Sequence, residues 1–230
     1  MQSPRKRWPE FFNIAFTNIQ EKHILFYFFD EEIQKAIEAL NAGGRIKDYD
    51  GDYLHVNDCN FAGAKSNMYI QESFIQEIDI ASDGTVTKTL TLDYKNPAPP
   101  SNCNLEAGEL CLNGLYRDWV RVYVPKGSEL IEASGSEIEV KTYEDLGKTV
   151  FEAFYGDQAP LRPLGKAELK FKYKLPFKVE KGQQYKILIQ KQPGTYGYEN
   201  IIKLNGREET FELTADRELK LRFMSTKPRG

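Results

Sequence analysis

The chain has 230 residues, of which 40% are hydrophobic and 28% charged, with a formal net charge of −3. That length and balance suit a globular protein able to bury a sizeable core in one or two domains. They exclude a nucleic-acid footprint, which needs a basic surface, and no apolar run reaches the length of a membrane span.

In chain order, Arg5-Lys6-Arg7 reads as an exposed basic terminus. Pro9 fits the first position of a helix in which Phe12, Phe16 and Ile19 recur at helical spacing. His23–Phe29 has no polar alternation and predicts a buried strand. Asp30 is then a good N-cap, with Glu31 and Glu32 where the helix dipole favours acids. Ile33, Ala36, Ile37 and Leu40 form the apolar stripe of this second helix, and Gly43-Gly44 ends it.

Next comes the stretch Tyr49–Tyr69. Asp48, Asp50 and Asp52 alternate as in some calcium loops, but an EF-hand needs its glycine at the sixth position and a glutamate at the twelfth, whereas counted from Asp48 this chain has Gly51 at the fourth and Cys59 at the twelfth. The reading is a solvated turn. No metal is expected, since His23 and His55 lie in separate strand candidates. Tyr53–Val56 predicts a short strand that breaks into the polar run 57–67, in which Gly63 gives a loop its freedom. Asp58, Asn60, Lys65 and Asn67 are candidate ligand-binding residues: the ammonium would meet an anionic group and the amides would meet hydroxyls. The alternative is a loop whose Asn and Asp side chains hold its own backbone. Cys59 reads as a buried small hydrophobe with a free thiol.

Met68–Ile80 suits either period, with its second half read as strand, and Ser82-Asp83-Gly84 turns the chain into the alternating strand Thr85–Tyr94. The Pro-rich run 96–100 and the loop after it mark a domain boundary near residue 113. Cys103 and Cys111 flank a short loop containing Gly108 and are expected to be bridged, which would favour an oxidising, extracytoplasmic location.

From Tyr116 onward the pattern is nearly all β, with strands expected around Val120–Val124 and at Ile138–Tyr143, Thr149–Tyr155, Lys166–Leu175, Tyr185–Lys191, Tyr198–Leu204, Glu209–Leu213 and Glu218–Phe223. In Lys166–Leu175 the residues Ala167, Leu169, Phe171, Tyr173 and Leu175 face in, and the lysines form a solvated sheet face. Tyr196-Gly197-Tyr198 reads as a sugar-stacking platform or, more plainly, as core packing or a turn. The fold class expected is α+β: a small α+β module over 1–113, then an antiparallel, immunoglobulin-like β-sandwich over 114–230. There is no Gly-x-Ser-x-Gly elbow, phosphate loop or HExxH, so neither a catalytic residue nor a cofactor is expected.

Four stretches, KHILFYFFDEEIQKAIEALNAGG, GDYLHVNDCNFAGAKSNMYI, DGTVTKTLTLDYKNPAP and LNGLYRDWVRVYVPKGSELIEASG, occur in the order of a bacterial cell-envelope family, domain of unknown function 4012, whose C-terminal part the chain resembles from about Lys22 to Leu175. The matching motif positions are Gly51, Asp52 and Tyr53, then Asn60, Gly63, Lys65 and Asn67; the three cysteines are not part of the pattern. The resemblance implies a membrane-anchored parent with an upstream transmembrane helix and an extracytoplasmic body associated with surface polysaccharide. It thus implies a non-catalytic binding or structural module whose partner is a polysaccharide or another envelope protein. The alternative is part of a glycopolymer-processing enzyme whose catalytic half lies outside this chain.

Overall fold

A computed structural model describes residues 7–222. The Arg5-Lys6 pair and Phe223 of the last expected strand lie outside the described residues.

The two helices follow from local chemistry. Helix α1 (Trp8–Gln20) has proline in its first turn and buries none of its residues. Helix α2 (Glu31–Ala39) is capped by Asp30, whose carboxyl accepts the Glu32 and Ile33 N–H groups at 3.0 Å each. It closes ahead of the expected glycines: Asn41 takes a left-handed conformation (φ 60°), and the Ala42 and Asn41 amides donate to Ile37 and Glu38 carbonyls. Those paired bonds satisfy the last carbonyls of the helix.

Between the helices, 23–29 is not a buried strand. It runs extended with no strand partner; Phe26 N–H donates to Ala42 and Phe28 N–H to the Gln34 side chain. Tyr27 and Phe29 stand in solvent, as do Trp8, Phe12 and Phe16 of α1. Hydrophobic composition alone does not make a strand; the backbone must also pair with one, and here its amides are taken by Ala42 and the Gln34 side chain.

Twelve strands follow: β1 (Asp52–Asn60), β2 (Gln71–Ile80), β3 (Thr85–Lys95), β4 (Asp118–Pro125), β5 (Glu129–Ser134), β6 (Lys141–Asp145), β7 (Lys148–Tyr155), β8 (Lys166–Lys178), β9 (Gln184–Gln190), β10 (Tyr198–Leu204), β11 (Arg207–Leu213) and β12 (Arg217–Arg222). They form two six-stranded sheets, ordered β12-β9-β1-β4-β7-β6 and β11-β10-β2-β3-β8-β5. The chain crosses between sheets in nested pairs, so that each hairpin of one sheet is bracketed by strands of the other.

Two expectations change here. The boundary near 113 does not separate two sheets, because β1 pairs with β4 and β9, β2 with β10, and β3 with β8. Nor are the sheets purely antiparallel: β1–β9 and β2–β10 run parallel. Strand β5, absent from the sequence reading, adds an irregular edge to β8.

One core joins the sheets. Inward residues of β8 (Leu169, Phe171, Tyr173, Leu175) meet Phe151 of β7, with ring centroids 5.3 Å apart for Phe151 and Tyr173. The hairpin joining β2 to β3 depends on Gly84 (φ +84°), where a Cβ would come within 2.9 Å of the Val179 carbonyl. On the outer face of the first sheet Tyr53, Tyr123, Val150 and Leu188 form a second cluster under Ile46 and Tyr49. Among the described residues no helix is long and apolar enough to cross a membrane.

The β3–β4 connection carries the Cys103–Cys111 bridge (S–S 2.04 Å, Cα–Cα 4.2 Å), spanning a 3₁₀ turn at Leu105–Ala107 that Asn104 caps. The expected result of intact-mass analysis after alkylation without reductant is one modified cysteine, Cys59, rising to three after reduction. Three modified thiols before reduction would show that no bridge forms.

Candidate functional site

The site grows from the far end of β1. The strand does not stop at Val56: Asn57 to Asn60 stay paired with β4, opposite Arg121, Val120, Trp119 and Asp118. Strict alternation therefore turns Asp58 inward with Leu54 and Val56, not outward into a loop. Its carboxyl accepts the Tyr94 hydroxyl at 2.7 Å from the opposite sheet. Asp118 of β4 lies on the same inner face; its Oδ1 accepts the Cys59 N–H at 2.9 Å.

These two carboxyls are hydrogen-bonded to each other in a buried place, and both take up protons more readily than free acids. Burial, opposed by bonds from Tyr94 and Asp118, pushes Asp58 up to about 6. Burial and then the Asp58 charge push Asp118 well above the carboxylate range. Asp118 Oδ2 accepts no direct hydrogen bond among the described residues, although the buried Tyr155 hydroxyl lies beside this carboxyl. A proton shared with Asp58 satisfies it, as for any close carboxyl pair.

A third acid, Glu72, reaches the same region from the start of β2. Burial first, and the Asp58 charge second, push it up to about 8, with Lys191 opposing. Glu72, Asp58, Tyr116 and Tyr198 line a cavity of about 380 Å³ at this end of the sandwich. Tyr116 is only 2% exposed and Tyr198 5%; both line the cavity, and no hydrogen bond among the described residues uses either hydroxyl. The cavity opens into a wider groove of about 900 Å³ along β2, β10 and β11, with Glu72, Tyr196 and Tyr198 shared between them.

Its wall is held rigidly. The Gln192 amide clasps the Asp58 backbone, donating to its carbonyl at 3.0 Å and accepting its N–H at 2.8 Å. Lys191 Nζ donates to the carbonyls of Glu21 (3.1 Å), Gln192 (3.3 Å) and Thr195 (2.5 Å), which shapes the loop carrying Tyr196. Beneath it, Asp216 binds Lys22 at 2.6 Å and Lys47 at 3.1 Å, tying the helical segment to the sheet. Asp216 is held below the carboxylate range by those ammonium groups against the opposing effect of burial.

Of the residues expected from sequence, Asp58, Asn60 and Asn67 line the cavity and Lys65 does not. Asn60 spends both ends of its amide on the loop, accepting from Ala62 N–H and donating to Ala64, each at 2.9 Å. Lys65 is exposed beyond the rim. Cys59 is exposed rather than buried, because alternation sends it to the outer face. Asp52, read as part of a solvated turn, is fully buried against Lys88. The Tyr196-Gly197-Tyr198 reading divides: Tyr196 is 69% exposed at the rim, whereas Tyr198 packs on Phe74 with ring centroids 4.6 Å apart.

Glu72, Tyr116 and Asp118 escaped the sequence reading. Glu72 alone left a signal, as an acid in phase with Phe74 and Ile78 of one strand. His55 lies under the outer face, held by the Gln190 carbonyl at 2.9 Å and pushed down to about 4 by burial. No group of three metal-ligating side chains occurs among the described residues. Compared with known proteins, the chain matches no family model and no curated sequence.

Proposed function

We propose that this chain is a non-catalytic, extracytoplasmic binding module of a bacterial cell-envelope protein, and that it takes a polyhydroxylated ligand, a surface glycan, into the cleft at the end of the sandwich. One observation carries the reading. Tyr116 and Tyr198, 2% and 5% exposed, line a preformed cavity with Glu72, and no hydrogen bond among the described residues uses their hydroxyls or the Glu72 carboxyl; Tyr196 stands exposed beside them. Polar groups that reach a preformed cavity without protein partners are poised for a ligand's hydroxyls. An exposed tyrosine at the rim offers an apolar ring face to a sugar. The sandwich, immunoglobulin-like in its stacked sheets though mixed in strand direction, presents its binding groups at one end. The envelope setting rests on the family resemblance, which also supplies the upstream membrane anchor.

A second reading, part of a glycopolymer-processing enzyme, is favoured by Glu72: a carboxyl pushed up to about 8 in a cleft is suited to general-acid chemistry. Turnover of a glycan by the chain alone would defeat the first reading.

The test is NMR shift mapping and calorimetry with a glycan panel. Tyr196→Ala is expected to weaken binding about tenfold, the loss of one stacking contact. Lys65→Ala should bind like the parent. Equal binding by Tyr196→Ala and parent, or no glycan bound at millimolar concentration, would overturn the proposal.

A further inference from the structure

We propose that the cleft selects a glycan carrying a free, protonated amine, an unacetylated amino sugar, whose ammonium seats between Glu72 and Asp58. This rests on the reading of the cleft as a glycan site and names the chemistry it selects.

The charges facing the cavity are one-sided. Glu72 and Asp58 line it, Asp118 lies hydrogen-bonded behind Asp58, and the polar groups between them are the Tyr116 and Tyr198 phenols. No lysine or arginine lines it. The Lys191 ammonium, whose charge acts on Glu72, donates to three backbone carbonyls, two of them in cavity-lining residues, and to no carboxylate of the cavity. His23, at the mouth, lies 3.6 Å from Glu21. Three acids thus gather with no cation of the protein in hydrogen-bond contact, an arrangement that is costly unless a proton or an external cation supplies the missing charge.

The Tyr116 side chain points independently to a ligand: the residue is 2% exposed, it lines the cavity, and no hydrogen bond among the described residues uses its hydroxyl. An ammonium has three N–H donors and no acceptor. Glu72, Asp58 and a phenol oxygen offer it three acceptors in one small space. A hydroxyl brings no charge to this set, an acetamide replaces the ammonium with a neutral group, and a uronate or phosphate would be repelled. The anionic partner that Lys65 suggested is therefore the wrong sign for this cavity.

Three tetrameric probes separate the cases by calorimetry at pH 7: a β-1,4-glucosamine oligomer, its fully N-acetylated counterpart, and an oligogalacturonate. The free-amine oligomer is expected to bind at least tenfold more tightly than the acetylated one, with shifts centred on Tyr196 and Tyr198. Glu72→Gln should erase that preference, while Glu129→Gln, the same charge change on the far edge strand β5, should leave it intact. Tyr198→Phe, which keeps the ring, should reduce it. Equal or tighter binding of the acetylated or uronate oligomer would overturn this inference and leave the glycan site standing. A preference lost equally in Glu129→Gln would reduce it to general charge attraction and overturn it too. Binding of none of the three would overturn both readings.

Discussion

Replacing Asp52 by alanine is expected to destabilise the fold by about 3–5 kcal/mol, the usual result of stripping one partner from a buried ion pair. Asp52 and Lys88 are both fully buried between the sheets, with Nζ 2.5 Å from Oδ2. The Tyr185 hydroxyl donates to the same oxygen, and the Tyr53 N–H donates to the other at 2.8 Å. Burial drives the Lys88 ammonium below its usual range, and only Asp52 opposes that. Without the carboxylate, Lys88 must either stay charged in an apolar core or give up its proton to fold. The double variant Asp52→Leu with Lys88→Met removes both charges at similar volume and should recover most of the loss, since the pair's own desolvation cost also disappears. Chemical denaturation at pH 7 checks both. A loss below about 1 kcal/mol for Asp52→Ala would mean that water reaches the ammonium and that the sheets are not closely packed there.

Lys88 also marks how far the sequence could be read. In Thr85–Tyr94 it alternates in phase with Val86, Leu90, Leu92 and Tyr94, so the strand and its inward face were legible, but not the partner, which lies 36 residues earlier on the other sheet. Helix α2 was legible for the opposite reason: Asp30 caps it two and three residues away. The alternation in β8 was as plain, because each lysine reports solvent on its own side of the strand. What escaped depends on distant pairing. The parallel contacts β1–β9 and β2–β10 join segments more than a hundred residues apart and leave no mark in either. The site shares that limit. Asp58 and Asn60 could be picked out as polar residues ending a strand, but whether Asp58 turns in or out depends on how far β1 continues, which β4 decides. The run at 23–29 shows the converse, a strand-like composition that pairs with no sheet.

The acid cluster should make stability fall as the solution becomes mildly alkaline, the reverse of the trend set by ordinary surface carboxylates. Glu72 titrates at about 8 in the folded chain and at 4.5 in the unfolded one. Its folded form therefore holds a proton that the unfolded form has released. The benefit is complete below pH 4.5 and is lost as the pH rises through 8. His55 acts in the other direction but elsewhere: pushed down to about 4 from 6.5, it weakens the fold only below pH 6.5, where the unfolded imidazole gains a proton. Above pH 6.5 the Glu72 effect stands clear of it. Between pH 6.5 and 8 the parent should lose about 2 kcal/mol, from roughly 1.4 kcal/mol per pH step for one proton. Asp118, raised by the same burial and by Asp58, adds to the loss in the same direction. Glu72→Gln removes the titrating group without changing the shape of the side chain, and its stability should fall by less than half as much over the same interval. Urea midpoints at pH 6.5, 7.2 and 8 for both proteins decide the matter. A parent whose midpoint holds steady or rises would mean that Glu72 is already ionised and solvated in the folded chain. An ammonium ligand, which stabilises the charged carboxylates, should flatten the parent's decline as Glu72→Gln does, whereas a neutral glycan should leave the slope unchanged.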